Sequence, residues 1–168
     1  MPVAHLVDPR AVETIDVMGA LVQFMTSPDD GEQAPLVFRG TIPSGGVVPM
    51  HSHADPETFL VVAGEVEGLV HLPEGHSWVP IRPGDVFHVP GGAKHAWRNR
   101  SCEPAVQIVV TTARIGRFFR EIGTRVEPGG PPAGPPSPDA VQHFLDTSER
   151  YGYWNATPEE NAEVGLVI

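Results

Sequence analysis

The feature that most constrains the fold is a succession of short apolar segments, each broken by turn residues before it reaches the length of a helix. Between residues 17 and 113 the segments recur at intervals of about 8–12 residues, which is typical of β-sandwiches and barrels. Without helices between the strands, a parallel sheet of βαβ units is disfavoured. The sequence therefore predicts an all-β domain with strands at residues 17–25, 35–42, 58–63, 66–72, 78–81, 86–89, 95–99 and 105–112.

The proline and glycine content agrees with this prediction. The 168 residues include 19 prolines and 18 glycines, so few windows of helical length lack one of them, and a helical bundle is excluded. The combined share is below the roughly 25–30% that marks low-complexity sequence. With 40% hydrophobic residues, the chain is long enough to bury the core of one domain.

The residues after the strands follow a different pattern. Four apolar residues from Ile115 to Ile122 recur at helical spacing, and Gly123 offers a stop. Ser137 and Pro138 are a suitable N-cap and first residue for a second helix that ends near Tyr151, with Val141, Phe144, Leu145 and Tyr151 as its expected apolar face. The predicted organisation is a lead-in at 1–16, a barrel at 17–113, a helix at 114–126, a Pro/Gly-rich linker at 127–138 and a short helical acidic tail at 139–168.

Charge and cysteine content limit the partners and the compartment. The formal net charge is −10, and no basic stripe is present, so nucleic acid and anionic membranes are not expected as partners. Cys102 is the only cysteine, which excludes an internal disulfide. No apolar run resembles a signal peptide or a membrane span. We therefore expect a cytoplasmic protein.

Histidine and glutamate residues form the first of two motifs. Gly45, His51, His53, Glu57 and Gly64 follow the pattern G-x5-H-x-H-x3-E-x6-G. In an extended segment, residues two apart face the same side, so both imidazoles point one way. The bend at 54–56 can bring the Glu57 carboxylate round to that side.

The second motif lies nineteen residues further on. Gly84, Pro90, Gly92, His95 and Asn99 follow the pattern G-x5-P-x-G-x2-H-x3-N, and His95 opens a strand. Three imidazoles and one carboxylate that converge inside a small barrel would form a nitrogen and oxygen site for a first-row divalent metal.

The two motifs resemble those of the cupins at every defining position and spacing, and the resemblance covers about residues 20–113. It implies a double-stranded β-helix (jelly-roll) barrel with a short C-terminal helical extension. It also implies that His51, His53, Glu57 and His95 bind one divalent transition metal per chain, with Fe, Ni, Co, Mn, Cu and Zn as the candidates. A homodimer is a further implication, with residues 1–25 as candidates to cross onto a partner sheet.

Strand parity predicts the walls of a substrate pocket. Phe59, Val61 and Ala63 share the parity of Glu57, and Trp97 shares that of His95. Neighbouring strands would add Phe38 or Arg39, and Gln107 or Val109. The predicted pocket (Phe59, Val61, Trp97 and Gln107) is mainly apolar and aromatic, which suits a planar or hydrophobic small molecule.

Three classes of function are compatible with these motifs. Similarity to quercetinase-like dioxygenases implies that a flavonol- or polyketide-like enol is oxidised by O₂, with Glu57 as metal ligand and catalytic base. The first alternative is a cyclase, isomerase or lyase in which the metal acts only as a Lewis acid. The second is a small-molecule-binding module without turnover.

Overall fold

A computed structural model describes residues 3–127 and 134–168. These residues form two antiparallel sheets that pack face to face as a double-stranded β-helix, in agreement with the predicted fold class. The seven-stranded sheet has the order β11-β1-β2-β3-β10-β5-β8, and the five-stranded sheet has the order β12-β4-β9-β6-β7. The strands are β1 (Thr14–Val17), β2 (Ala20–Phe24), β3 (Pro35–Ile42), β4 (Val47–Ser52), β5 (Glu57–Ala63), β6 (Val66–Leu72), β7 (Gly75–Ile81), β8 (Val86–Val89), β9 (His95–Arg98), β10 (Ala105–Thr112), β11 (Thr124–Arg125) and β12 (Trp154–Asn155).

Three helices follow the barrel strands. They are α1 (Ala113–Ile122), α2 (Pro138–Tyr151) and α3 (Pro158–Glu163). Helix α2 begins as predicted, because the Ser137 side chain accepts a hydrogen bond from the Ala140 amide. None of the helices in the described ranges is long and apolar enough to cross a membrane.

The main core lies between the two sheets. Side chains on β3 and β10 alternate between buried and less buried positions, as expected for strands with one face toward a core. Strand β10 is central because it pairs with β3 on one side and β5 on the other. The core includes Phe38, Phe59, Val61, Trp97 and Val109.

A second cluster covers the outer face of the five-stranded sheet. Val164 and Leu166 pack on Met50, Leu69 and Ala96. The C-terminal segment is therefore a packed layer of the domain, although its acidic composition alone suggests a solvated tail.

The structure corrects several predicted boundaries near the N-terminus. The strand predicted at 17–25 is in fact the hairpin β1–β2, which turns at Met18 and Gly19, where both φ angles are positive. Strand β1 therefore belongs to the sheet, although the lead-in was expected to lie outside the barrel. Strand β2 pairs with β3 of the same chain.

Further differences concern the C-terminal half. Helix α1 ends at Ile122, and β11 then pairs with β1, so the helix is shorter than the predicted 114–126. The predicted apolar face of α2 is wrong, because Val141 and Leu145 are exposed while Thr147 and Ser148 are buried. Most of the predicted linker, at residues 128–133, lies outside the described residues.

Candidate metal centre

Two strands of the five-stranded sheet bring the histidines together. His51 on β4 lies opposite His95 at the start of β9. His53 follows the end of β4, and its carbonyl accepts a hydrogen bond from the Gly92 amide at 2.6 Å. This bond joins the loops that carry the two sequence motifs. The ring nitrogens of His51, His53 and His95 lie within 4.8 Å of one another and could hold a metal ion.

The Nδ1 atom of each imidazole lies beside a backbone carbonyl two residues away. A carbonyl oxygen can only accept, so each Nδ1 carries the hydrogen and each neutral ring keeps its lone pair on Nε2. Three Nε2 atoms are thereby left for a cation. The three contacts are His51 Nδ1 to Pro49 O at 2.8 Å, His53 Nδ1 to Asp55 O at 2.8 Å, and His95 Nδ1 to Ala93 O at 2.9 Å.

Glu57 is the first residue of β5 and places its carboxylate against two of the rings. Its Oε2 atom lies 3.3 Å from Nε2 of both His53 and His95. Burial opposes ionisation of this carboxyl, but the two adjacent imidazoles outweigh it and lower the pKa of Glu57 to about 2. The carboxylate is therefore a negative charge at neutral pH.

The neighbours of each histidine set its protonation in the metal-free protein. Burial, together with the adjacent His95, lowers the pKa of His51 to about 3, so this ring is neutral. Burial also opposes the charged form of His53. The hydrogen bond and negative charge of Glu57 outweigh this effect and raise the pKa of His53. A proton on His53 thus compensates part of the Glu57 charge.

The donor set fits a divalent metal ion. Within the described ranges, Nε2 of His95 is buried and has no hydrogen-bond partner. An orphaned nitrogen lone pair beside a buried carboxylate is costly unless a cation or a proton satisfies it. Imidazoles with one carboxylate suit first-row transition metals, and the same set does not distinguish among them.

The four predicted pocket residues are all buried in the barrel. The rings of Phe59 and Trp97 pack with their centroids 4.5 Å apart, and Val61 is fully buried. Gln107 is 3% exposed, and its Oε1 has no hydrogen-bond partner in the part of the chain that the structure describes. Their role as a substrate pocket stays a prediction. Ala63, also expected inside, is exposed because β5 ends there.

Several polar residues around the centre were not predicted. The Asp55 carboxylate accepts hydrogen bonds from Thr112, Arg114 and Tyr153. Burial and its bond to Asp55 raise the pKa of Tyr153, so the hydroxyl keeps its proton and acts as the donor. Asp55 lies inside the first motif, which was the only signal available. Tyr153 has no such signal, because it comes from the C-terminal segment.

The C-terminal segment also extends the sheet that carries the histidines. Strand β12 pairs with β4, so that Asn155 lies opposite His51. The Lys94 ammonium, next to His95 in sequence, stands 4.0 Å above the ring of Trp154. One side of the centre is therefore covered by residues far along the chain.

A surface cleft of about 570 Å³ lies apart from this centre. Arg98 and Arg100 line it where β9 ends, whereas His95 stands where β9 begins. The cleft contains none of the four predicted ligands, so its size gives no reason to place the substrate there.

Comparison with known proteins finds similarity within the barrel. Residues 38–111 match the family model of the cupin domain, and all four predicted ligands lie within this stretch. This stretch, inside the barrel, is similar to the cupin domain. A sugar phosphate isomerase of the cupin superfamily from Silicibacter pomeroyi has the same fold, with a TM-score of 0.53, 22% identity, and coverage of 64% of this chain and 75% of that one.

Two curated relatives match part of this chain in sequence. Glucose-6-phosphate isomerase from Thermococcus onnurineus is 32% identical over 74 residues, which is 43% of this chain and 39% of the relative. Dimethylsulfoniopropionate lyase DddQ from Ruegeria pomeroyi is 43% identical over 58 residues, or 34% of this chain and 27% of the lyase. The chain thus spans about two fifths or less of the length of these relatives.

Proposed function

We propose that this protein is a metal-dependent enzyme that converts a small molecule by proton transfer without net oxidation, as an isomerase, cyclase or lyase does. The observation that carries the proposal is the convergence of three imidazoles, with the ionised Glu57 carboxylate 3.3 Å from two of them. A divalent metal held by these side chains would supply a Lewis acid that polarises a substrate oxygen and acidifies a neighbouring proton.

The two curated relatives support chemistry of this kind. One is an isomerase and the other is a lyase, and neither reaction class consumes an oxidant. Their matched regions are 39% and 27% of those proteins. For this chain, therefore, we propose the reaction class rather than either substrate.

Glu57 has the chemical properties of the proton acceptor. It is buried and ionised, and it lies beside the ring nitrogens that would hold the metal to which a substrate oxygen would bind. A carboxylate with a low pKa is a weak base, so it can remove only a proton that the bound substrate has made acidic. This property favours substrates with an enolic hydroxyl, or with a C–H bond next to a carbonyl.

A dioxygenase is the second candidate, and the aromatic interior favours it. The ring of Trp97 packs against both Phe59 and Phe87, at centroid distances of 4.5 and 5.1 Å. Rings of this kind provide flat apolar surfaces for a flavonol- or polyketide-like substrate, with O₂ as the co-substrate. This candidate uses the same four ligands and differs in the oxidant.

The two candidates differ in their need for oxygen. The protein would be stripped of metal, reloaded with one of Fe²⁺, Mn²⁺, Co²⁺, Ni²⁺, Cu²⁺ or Zn²⁺, and incubated with sugar phosphates, sulfonium carboxylates and flavonols in air and under nitrogen. We expect turnover at equal rates in both atmospheres, with deuterium incorporated from D₂O. Turnover that requires O₂ and a redox-active metal would instead establish the dioxygenase. Tight substrate binding without turnover would support the binding module.

The homodimer implied by the family resemblance stays a prediction for this chain. Static light scattering of the metal-loaded protein measures it directly, with twice the chain mass of 18.1 kDa as the expected result.

A further inference from the structure

Asp55 is a buried carboxylate between two predicted metal ligands, and its hydrogen bonds all come from distant residues. Its Oδ1 accepts from the Thr112 hydroxyl at 2.5 Å, and its Oδ2 accepts from Tyr153 at 2.9 Å and from Arg114 at 3.2 Å. A carboxylate buried to 94% needs such donors to remain ionised at low cost. The three donors therefore fix the position of the Asp55 side chain.

The backbone carbonyl of the same residue orients a histidine. It accepts the hydrogen bond from Nδ1 of His53 at 2.8 Å. A displacement of Asp55 would move this acceptor and release the His53 ring from its orientation. Partners that fix the orientation of a ligating histidine raise metal affinity, and their loss typically costs about 10–100-fold.

Tyr153 reaches Asp55 from the segment that follows α2, outside the part of the chain that matches the cupin family model. Its ring packs against His53, with centroids 5.3 Å apart, and against Phe118 at 4.9 Å. The Arg114 guanidinium also holds this segment in place, because it donates a hydrogen bond to the Tyr151 carbonyl at 2.5 Å. The C-terminal segment is thus held against the loop that carries His53.

We propose that Tyr153, acting through Asp55, is a positioning residue for the His53 imidazole, and that the segment after α2 that carries Tyr153 is therefore a functional part of the metal centre. The proposal rests on the proposed function only in assigning His53 as a metal ligand; it is independent of the reaction. Arg114 and Thr112 serve the same purpose from the junction between β10 and α1.

The test removes one hydroxyl and leaves the ring in place. Tyr153→Phe deletes the donor to Asp55. Tyr151→Phe is a matched control, because the Tyr151 hydroxyl donates to Glu121 at 2.6 Å and not to Asp55. Titration of the metal-free proteins with Co²⁺, followed by visible absorption, reports both affinity and ligand geometry. We expect Tyr153→Phe to weaken Co²⁺ binding about tenfold and to shift the absorption bands, with the control within twofold of wild type.

A second variant covers the case in which Tyr153→Phe fails to fold. Thr112→Val removes another donor to Asp55 with little change in shape, and the Thr112 side chain makes no capping hydrogen bond to α1. We expect the same weakening and the same spectral shift. Wild-type affinity and spectrum in both folded variants, or equal losses in Tyr153→Phe and Tyr151→Phe, would overturn the proposal.

A metal-independent measurement separates this proposal from the proposed function. In the ¹⁵N-labelled metal-free protein, the Nδ1 proton of His53 is protected by its bond to the Asp55 carbonyl. We expect Tyr153→Phe to speed exchange of this proton by about tenfold, and Tyr151→Phe to leave it unchanged. If wild type binds no Co²⁺, the metal function fails, and faster exchange still supports the positioning role. Unchanged exchange contradicts that role.

Discussion

His51 and His95 lie in register on neighbouring antiparallel strands, and their ring centroids are 4.2 Å apart. Two imidazoles at this distance cannot both carry a proton at low cost, because like charges in a buried site repel each other. They can both donate lone pairs to one cation. The pairing of β4 with β9 therefore sets two of the three histidine ligands before any loop contributes.

Replacement of either histidine should abolish metal binding. His51→Ala or His95→Ala leaves only two imidazoles, so we expect metal affinity to fall by more than the roughly 100-fold that loss of an outer partner can cost. Isothermal titration with Zn²⁺ measures the change. His71→Ala, on the exposed end of β6, is the control and should bind as wild type does. Full metal occupancy in both ligand variants would show that the site is misassigned.

Glu57→Gln should separate metal binding from turnover. The amide keeps the size of the side chain and an oxygen donor but cannot accept the substrate proton. We expect most of the metal to be retained and kcat to fall by about 10²–10⁴-fold, which is typical for loss of a general base. Metal content and kcat are measured on the same sample. A variant with wild-type kcat would rule out Glu57 as the base.

Metal affinity should fall as the pH is lowered through the pKa of His53. Glu57 raises that pKa above its ordinary value of 6.5, so the metal-free protein holds this proton more tightly than free histidine does. The metal must displace the proton. Below the raised pKa, affinity should therefore drop about tenfold per pH unit, and above it the affinity should level off. The pKa of His51 is lowered to about 3, so this residue adds no further pH dependence of the metal affinity near neutrality.

Zn²⁺ titrations from about pH 5 to 9 give this profile, and Glu57→Gln is the matched comparison because it removes the charge that raises the pKa. In Glu57→Gln, the pH below which Zn²⁺ affinity falls should be lower than in wild type. Affinity that is independent of pH across this range would contradict the protonation assigned to His53.

Gln107 should affect substrate binding and stability in opposite directions. Its buried Oε1 has no partner among the described residues, so Gln107→Leu removes an unsatisfied polar group. We expect the free energy of unfolding of the metal-free protein to rise by about 1 kcal/mol and KM to increase. Gln142→Leu, on the exposed face of α2, should change neither by a measurable amount. A lower stability with an unchanged KM would place Gln107 in the structural core alone.

The barrel strands could be predicted from the sequence because their side chains alternate between core and surface. The strands at 35–42, 66–72, 86–89 and 105–112 have the predicted bounds. Strand β4 was not assigned, since Pro49, His51 and Ser52 interrupt its apolar pattern. The residues that obscure this strand include a predicted ligand, because a metal site requires polar side chains on a wall of the barrel.

The contacts from the C-terminal segment could not be predicted. Tyr153 and Asp55 are 98 residues apart, and no local pattern reports a hydrogen bond over that separation. The orientation of α2 could not be predicted from the sequence either, because the helix buries the small residues Thr147 and Ser148 and leaves Leu145 exposed. Close packing of a helix on a barrel can favour small side chains over apolar ones, and periodicity detects only the latter.

The central claim is that three histidines and Glu57 hold one divalent metal. Anomalous diffraction at the zinc edge, from crystals grown with stoichiometric Zn²⁺, tests it most directly. We predict a single strong peak about 2.0–2.1 Å from the Nε2 atoms of His51, His53 and His95, with the Glu57 carboxylate as the fourth protein ligand. A peak bound elsewhere on the protein, with none among these side chains, would contradict the account.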